Sequence, residues 1–166
     1  DGGIEAASHG HGVVMAPGNT LYLDFLQTNL PGEPPGRPKF TSMQRVYAFD
    51  PVPTQLTAAQ RKHVIGVQAN LWTEHTRTYE RLQHNLFPRM AALAEIAWTP
   101  LERKSYDDFL ARLPAQLQRY RALGIAYAQT PLSVAAKRQD DRAAGKVTLE
   151  LSNPLSYRDI RYTTDG

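Results

Sequence analysis

The chain has 166 residues, 42% hydrophobic and 21% charged, with 11 Gly, 12 Pro and no Cys. This mixture excludes a disordered tail, a collagen-like polymer, a disulfide framework, cysteine-ligated zinc and a thiol nucleophile. Nineteen Lys and Arg against 16 Asp and Glu give a net charge of +3, but the two signs alternate along helical stretches as on a solvated face, so no nucleic-acid partner is expected.

No apolar run approaches the roughly 18 residues of a membrane helix, so no membrane partner is expected. Asp1–Glu5 lacks the basic start and apolar core of a signal peptide. Gly3–Ser8 reads as the end of a short helix, broken at His9-Gly10-His11-Gly12. Val13–Ala16, closed by Pro17-Gly18, reads as a fully buried strand, and Leu21–Phe25 alternates as if to extend it after a turn. Pro31–Pro38 is too rich in Pro and Gly for a helix or central strand. It is expected to be a loop, and loops of this kind often border a site. Ser42–Ala48 is a short helix, and Thr57 with Gln60 has capping-box spacing. His63–Trp72 reads as a second buried strand, in which Gly66 marks close packing.

From Thr76 the period becomes helical. Thr76–Asn85 is one helix, and Pro88–Trp98 a second, with Met90, Leu93, Ala94 and Ala97 on one face and Trp98 in the core. Arg89 and Glu95 read as a structural ion pair. Ser105 caps a long helix, Tyr106–Leu123, with Phe109, Leu113, Leu117, Tyr120 and Leu123 as its inner stripe. Pro114 is expected to distort that helix and Gly124 to end it. Beyond Pro131, Gly145–Leu151 and Asp159–Thr164 alternate as half-buried strands. Asp165-Gly166 is a strong hairpin signal, and a turn without a return strand predicts that the chain is cut there.

Two segments share a grammar. Tyr22-Leu23-Asp24 and Trp72-Thr73-Glu74 each place an aromatic and a carboxylate two residues apart, hence on one side of an extended chain. An apolar ring beside a hydrogen-bond acceptor suits a sugar, whose C–H face stacks and whose hydroxyls donate. The bland alternative makes Trp72 core and Glu74 a helix cap. His9 and His11 lack further ligands, so no metal is expected, and His75 beside Glu74 reads as a loop histidine.

Gly66–Glu74, then Phe87-Pro88-Arg89 and Ala94–Trp98, resemble the end of the catalytic barrel of family 20 glycoside hydrolases, the β-N-acetylhexosaminidases, including chitobiases. Val13–Pro17 with Leu21–Asp24 resembles the preceding barrel strand, and Ile160–Gly166 resembles, more faintly, the β-sandwich that follows the barrel in bacterial members. The fold implied is α/β: residues 1–130 are the C-terminal part of a TIM (β/α)8 barrel, its last two strands and helices, and residues 131–166 begin an all-β sandwich. The resemblance implies a glycosidase that removes terminal N-acetylhexosamine from a saccharide with retention, using the substrate's acetamide as nucleophile and no cofactor. Tyr22 would hold the acetamide oxygen, Trp72 would lie against the sugar ring, and Asp24 and Glu74 would accept from its outer hydroxyls. The adjacent Asp-Glu pair of the family does not occur in this sequence, so the general acid is expected upstream and the segment alone is expected to be inactive. A periplasmic or secreted bacterial location is the expectation from the family. Two other readings compete: a non-catalytic carbohydrate-binding module, and a helical interaction domain with Trp72 as core.

Overall fold

The computed structural model describes residues 2–153 and 159–164. Its elements run α1 (Gly2–Ser8), β1 (Val13–Met15), α2 (Gly18–Leu21), β2 (Phe25–Leu26), β3 (Arg37–Phe40), α3 (Met43–Ala48), α4 (Ala58–Arg61) and β4 (Val64–Val67). They continue with α5 (Tyr79–Leu86), α6 (Arg89–Trp98), α7 (Tyr106–Ala122), β5 (Ala135–Asp141) and β6 (Lys146–Ser152). Side-chain caps start four of the helices: Ser42, Thr57, Thr78 and Ser105 each accept from a main-chain N–H three residues on. Thr57 and Gln60 complete the reciprocal box that their spacing predicts.

β1 and β4 pair in parallel, with Val14 opposite Gly66 and Met15 opposite Val67. The pairing continues past β4 as a single bridge from Tyr22 to Asn70. The Leu23 N–H donates to the Asn70 carbonyl at 2.7 Å, and the Asn70 N–H donates to Leu21 at 2.9 Å. Leu21–Phe25 is therefore not one strand extending β1. Leu21 closes the one-turn helix α2, Tyr22 forms the bridge, and Phe25 opens β2, which pairs with β3. The Pro-rich stretch is irregular up to Gly36, after which Arg37 and Pro38 enter β3, in a two-stranded sheet where a missing N–H is tolerated. His63–Trp72 contracts to Val64–Val67 plus the Asn70 bridge, and Thr76–Asn85 to Tyr79–Leu86 behind its Thr78 cap.

The main core gathers Leu21, Leu23, Met43, Val46, Leu93, Ile96, Phe109, Leu113 and Tyr120 from α2, α3, α6, α7 and the Tyr22 segment. A smaller one joins Ala7 of α1 to Val13, Met15 and Leu56. The inner face of α6 is Arg89, Ala92, Leu93 and Ile96, rotated from the predicted one. Ala94 and Ala97 are exposed, and Trp98 is 88% exposed instead of core. The rotation follows from Arg89, which the helix must bury. α7 runs on through Pro114 and buries Phe109, Leu110, Leu113, Leu117 and Tyr120. Leu123, one residue past the helix, is 74% exposed, and Gly124 turns the chain with φ +67°.

β5 and β6 form an antiparallel hairpin from Ala135 opposite Ser152 to Asp141 opposite Lys146. The alternating stretch at 145–151 thus finds its partner upstream, in a charged segment with no strand pattern. Asp159–Thr164 is not a strand; Asp165-Gly166 lies outside the described residues.

Candidate functional site

Tyr22 forms the last bridge beyond the β1–β4 ladder, and Asp24, Trp72 and Glu74 follow it within a few residues. Tyr22 and Trp72 meet edge to face, with ring centroids 6.0 Å apart. The geometry is a favoured one for aromatic pairs. Trp72 is 47% exposed, so it is not a core residue here. Glu74 is exposed and does not cap the next helix, whose N-cap is Thr78.

Asp24 is only 2% exposed. Its Oδ2 accepts from Arg37 Nη1 at 2.9 Å, and its Oδ1 is buried with no hydrogen-bond partner. A buried carboxylate oxygen without a donor carries a desolvation cost of about 1–3 kcal/mol or more. Such an atom is poised to accept from a ligand O–H or N–H. Arg37 is the site residue that the sequence reading did not single out. It lies in the stretch read as a site-bordering loop, and nothing in its local pattern marks it. Its side chain is 41% exposed. The hydrogen bond to Asp24 pushes its guanidinium pKa up, as do the charge of Asp24 and, less strongly, Glu74 and Tyr22. Arg37 thus ties Asp24 down from the cleft it lines together with Tyr22.

Two buried residues hold this arrangement in place. Arg89 is fully buried at the start of α6. Its Nη1 donates to the carbonyls of Phe25 (3.0 Å) and Thr41 (2.8 Å). Its Nη2 donates to Leu23 (2.6 Å) and Asn85, and Nε also donates to Asn85. Arg89 therefore grips the carbonyls immediately before and after Asp24. The expected ion pair with Glu95 is absent, because Glu95 is bound by Arg112 through two hydrogen bonds. Burial draws the Arg89 pKa down, opposed by the charges of Glu33 and Asp24, and the carbonyls keep the proton in place.

Glu33 anchors the loop that carries Arg37. Its Oε1 accepts from the Gln27 N–H at 3.2 Å and lies 3.3 Å from His84 Nε2. Its Oε2 accepts from the hydroxyls of Thr28 (3.1 Å) and Thr130. Burial by itself would raise this carboxyl; the hydrogen bonds from His84, Thr130 and Gln27, with the charge of His84, overcome it and bring the pKa to about 2. Gln27 extends the clamp by donating to the carbonyls of His84 and Phe87. Sequence reasoning missed Glu33 because two of its four partners, His84 and Thr130, lie 51 and 97 residues away.

Among the described residues no group of three or more His, Cys, Asp or Glu could hold a metal ion, and no helix is long and apolar enough to cross a membrane.

Residues 1–101 match the model of the glycosyl hydrolase family 20 catalytic domain. The chain is 38% identical to a beta-hexosaminidase of Porphyromonas gingivalis, over 99% of this chain and 21% of that protein. A family 20 exo beta-N-acetylglucosaminidase of Vibrio harveyi, solved with N-acetylglucosamine, superposes with a TM-score of 0.66 at 31% identity, covering 75% of this chain and 20% of that one. A family 20 beta-N-acetylhexosaminidase of Streptomyces coelicolor also gives a TM-score of 0.66 at 31% identity, over 77% and 26%. The chain spans between a fifth and about a quarter of the length of these relatives. Its α/β fold is theirs over three quarters of its residues, and the chain belongs to glycosyl hydrolase family 20 through its catalytic domain.

Proposed function

We propose that the protein containing this chain removes terminal N-acetylhexosamine from saccharides by a retaining, substrate-assisted mechanism. The observation that carries the reading is the buried Asp24 carboxylate, with one oxygen fixed by Arg37 and the other lacking a donor, beside the Tyr22–Trp72 aromatic pair. A neutral polyol with an apolar face satisfies both halves at once.

In this mechanism the acetamide oxygen of the substrate attacks its own anomeric carbon, and the bond to the leaving oxygen breaks. Being intramolecular, the attack needs orientation more than a protein nucleophile. Tyr22 donates its hydroxyl to the acetamide oxygen and holds it under the anomeric carbon. Trp72 walls the sugar ring. Asp24 and Glu74 accept from hydroxyls at the far side of the ring and set its register. The leaving oxygen takes its proton from a carboxylic acid outside this chain, on an earlier barrel strand. Water then opens the cyclic intermediate, and the configuration is retained. Residues 1–130 are read as the last two strands of the barrel with their helices, and residues 131–166 as the start of a β-sandwich. By itself the segment is inactive on this reading.

The test compares an aryl N-acetylglucosaminide with the aryl glucoside, using the full-length polypeptide and the 166-residue chain. Cleavage of the first substrate alone, by the full polypeptide alone, is the expected result. Equal cleavage of both substrates removes the acetamide from the mechanism, and cleavage of neither removes the glycosidase.

A further inference from the structure

Asp24 is held from two directions. Its main chain is fixed by Arg89, which donates to the carbonyls of Leu23 at 2.6 Å and Phe25 at 3.0 Å. Its carboxylate is fixed by Arg37. The register of β2 against β3 sets Arg37 opposite Phe25, the residue that follows Asp24. The Arg37 guanidinium lies over the Phe25 ring, 5.1 Å from its centroid, which restrains a side chain that would otherwise be free to move. From there Nη1 reaches Asp24 Oδ2 at 2.9 Å. The loop leading into β3 is anchored separately, at Glu33, by the Gln27 N–H and the hydroxyls of Thr28 and Thr130.

As a stability device this ion pair is a poor one. The arginine side chain is 41% exposed and the carboxylate 2%. An exposed partner contributes little, and a buried carboxylate costs more than an apolar residue in its place. What the pair supplies is direction. A carboxylate accepts at both oxygens, and one held by its main chain alone can turn about a soft terminal torsion and offer either. With Oδ2 taken by Arg37, the open acceptor is Oδ1, which is buried and has no donor. An acceptor so confined is met by one O–H arriving along one line.

We propose that Arg37 is a positioning residue for the glycosidase reaction, acting through Asp24 to commit the free oxygen of that carboxylate to a single hydroxyl of the terminal sugar. The proposal rests on the glycosidase reading above and adds to it a residue and a selection rule: the preferred saccharide carries that hydroxyl unsubstituted and able to donate. Arg37 meets the substrate only through Asp24, so its effect falls on binding and not on the bond that breaks.

The test is a cycle between enzyme and substrate. The full-length polypeptide and its Arg37→Met variant are assayed on an aryl N-acetylglucosaminide and on its 4-deoxy and 6-deoxy analogues, with kcat and KM measured separately. The parent should lose about thirtyfold in kcat/KM on one analogue, the size of a hydrogen bond to a charged group. Arg37→Met should raise KM for the complete sugar about tenfold with kcat held within about threefold, and should shrink the deoxy penalty to about threefold. Arg37→Gln, a polar change at a part-exposed position, carries the same comparison if the methionine variant does not fold. A deoxy penalty as large in the variant as in the parent makes Arg37 merely structural and overturns the proposal. So does a parent with no penalty on either analogue, or a variant in which kcat falls while KM stays. Calorimetric titration with N-acetylglucosamine and its two deoxy analogues repeats the cycle without turnover. If no substrate is cleaved, the glycosidase reading fails; a binding penalty that shrinks with Arg37→Met still supports the role of Arg37, and one that does not shrink rejects it.

Discussion

Replacing Glu33 by Gln keeps the shape of the loop anchor and removes its charge. A glutamine can still accept through its oxygen, but its NH2 must face either the Gln27 N–H and His84 or the hydroxyls of Thr28 and Thr130. The hydroxyls can rotate to accept; the main-chain N–H cannot. A carboxyl brought from 4.5 to about 2 by its partners corresponds to at most about 3.5 kcal/mol, at roughly 1.4 kcal/mol per pH unit. The hydrogen bonds that a glutamine keeps reduce the difference to about 2 kcal/mol. Because the folded-state pKa is the lower one, this stability is fully present above about pH 4.5 and is lost as pH falls toward about 2. Urea unfolding of the parent polypeptide and the Glu33→Gln variant at pH 7, 4 and 3 gives the difference free of other carboxyls, which titrate in both. The difference should be about 2 kcal/mol at pH 7, smaller at pH 4 and smaller again at pH 3. A difference that does not change with pH would refute the reasoning, since it would assign the cost to packing and not to the charge.

Three further outcomes are expected. Arg89→Met leaves the carbonyls of Leu23, Phe25, Thr41 and Asn85 without their donor and should cost about 3–5 kcal/mol in denaturant unfolding; Arg89→Lys should recover little, because an ammonium cannot span the fork. Trp72→Ala should leave stability within about 1 kcal/mol, because the ring is half exposed, while raising KM for the aryl N-acetylglucosaminide; unfolding instead would return Trp72 to the core. Tyr22→Phe should lower kcat about a hundredfold with a smaller change in KM, as loss of the hydrogen bond that orients the attacking oxygen does, and a rise in KM alone would remove the acetamide contact from Tyr22.

Local patterns were legible in the sequence and distant ones were not. The caps at Thr57 and Ser105 depend on residues three apart, and both were readable. The pairing of an aromatic with a carboxylate at 22 and 24 and at 72 and 74 was equally local, and the structure brings the two aromatics into contact. Arg89 defeated the periodicity argument. A helix that must bury a guanidinium turns away from the face its alanines mark, and so Ala94, Ala97 and Trp98 came out exposed. β5 was invisible because Ala135–Asp141 is polar on both sides, and the hairpin it forms is exposed along nearly its whole length. A strand that buries neither face has no alternation to read. Arg37 and Glu33 belong to the same class of omission: their partners are set by the folded chain, not by neighbours in sequence.

Arg89 makes its bonds to main-chain oxygens alone. Every residue type offers that oxygen, so substitutions at 23, 25, 41 and 85 need only respect volume to keep the bonds intact. No other side chain offers Arg89's fork of donors. Mutational tolerance around this point is therefore lopsided: the acceptors can drift while the donor is fixed. In a saturation library selected for folding, position 89 would collapse to a single residue while its four neighbours each kept several, and the backbone flanking Asp24 would hold its course through lineages whose side chains no longer look alike.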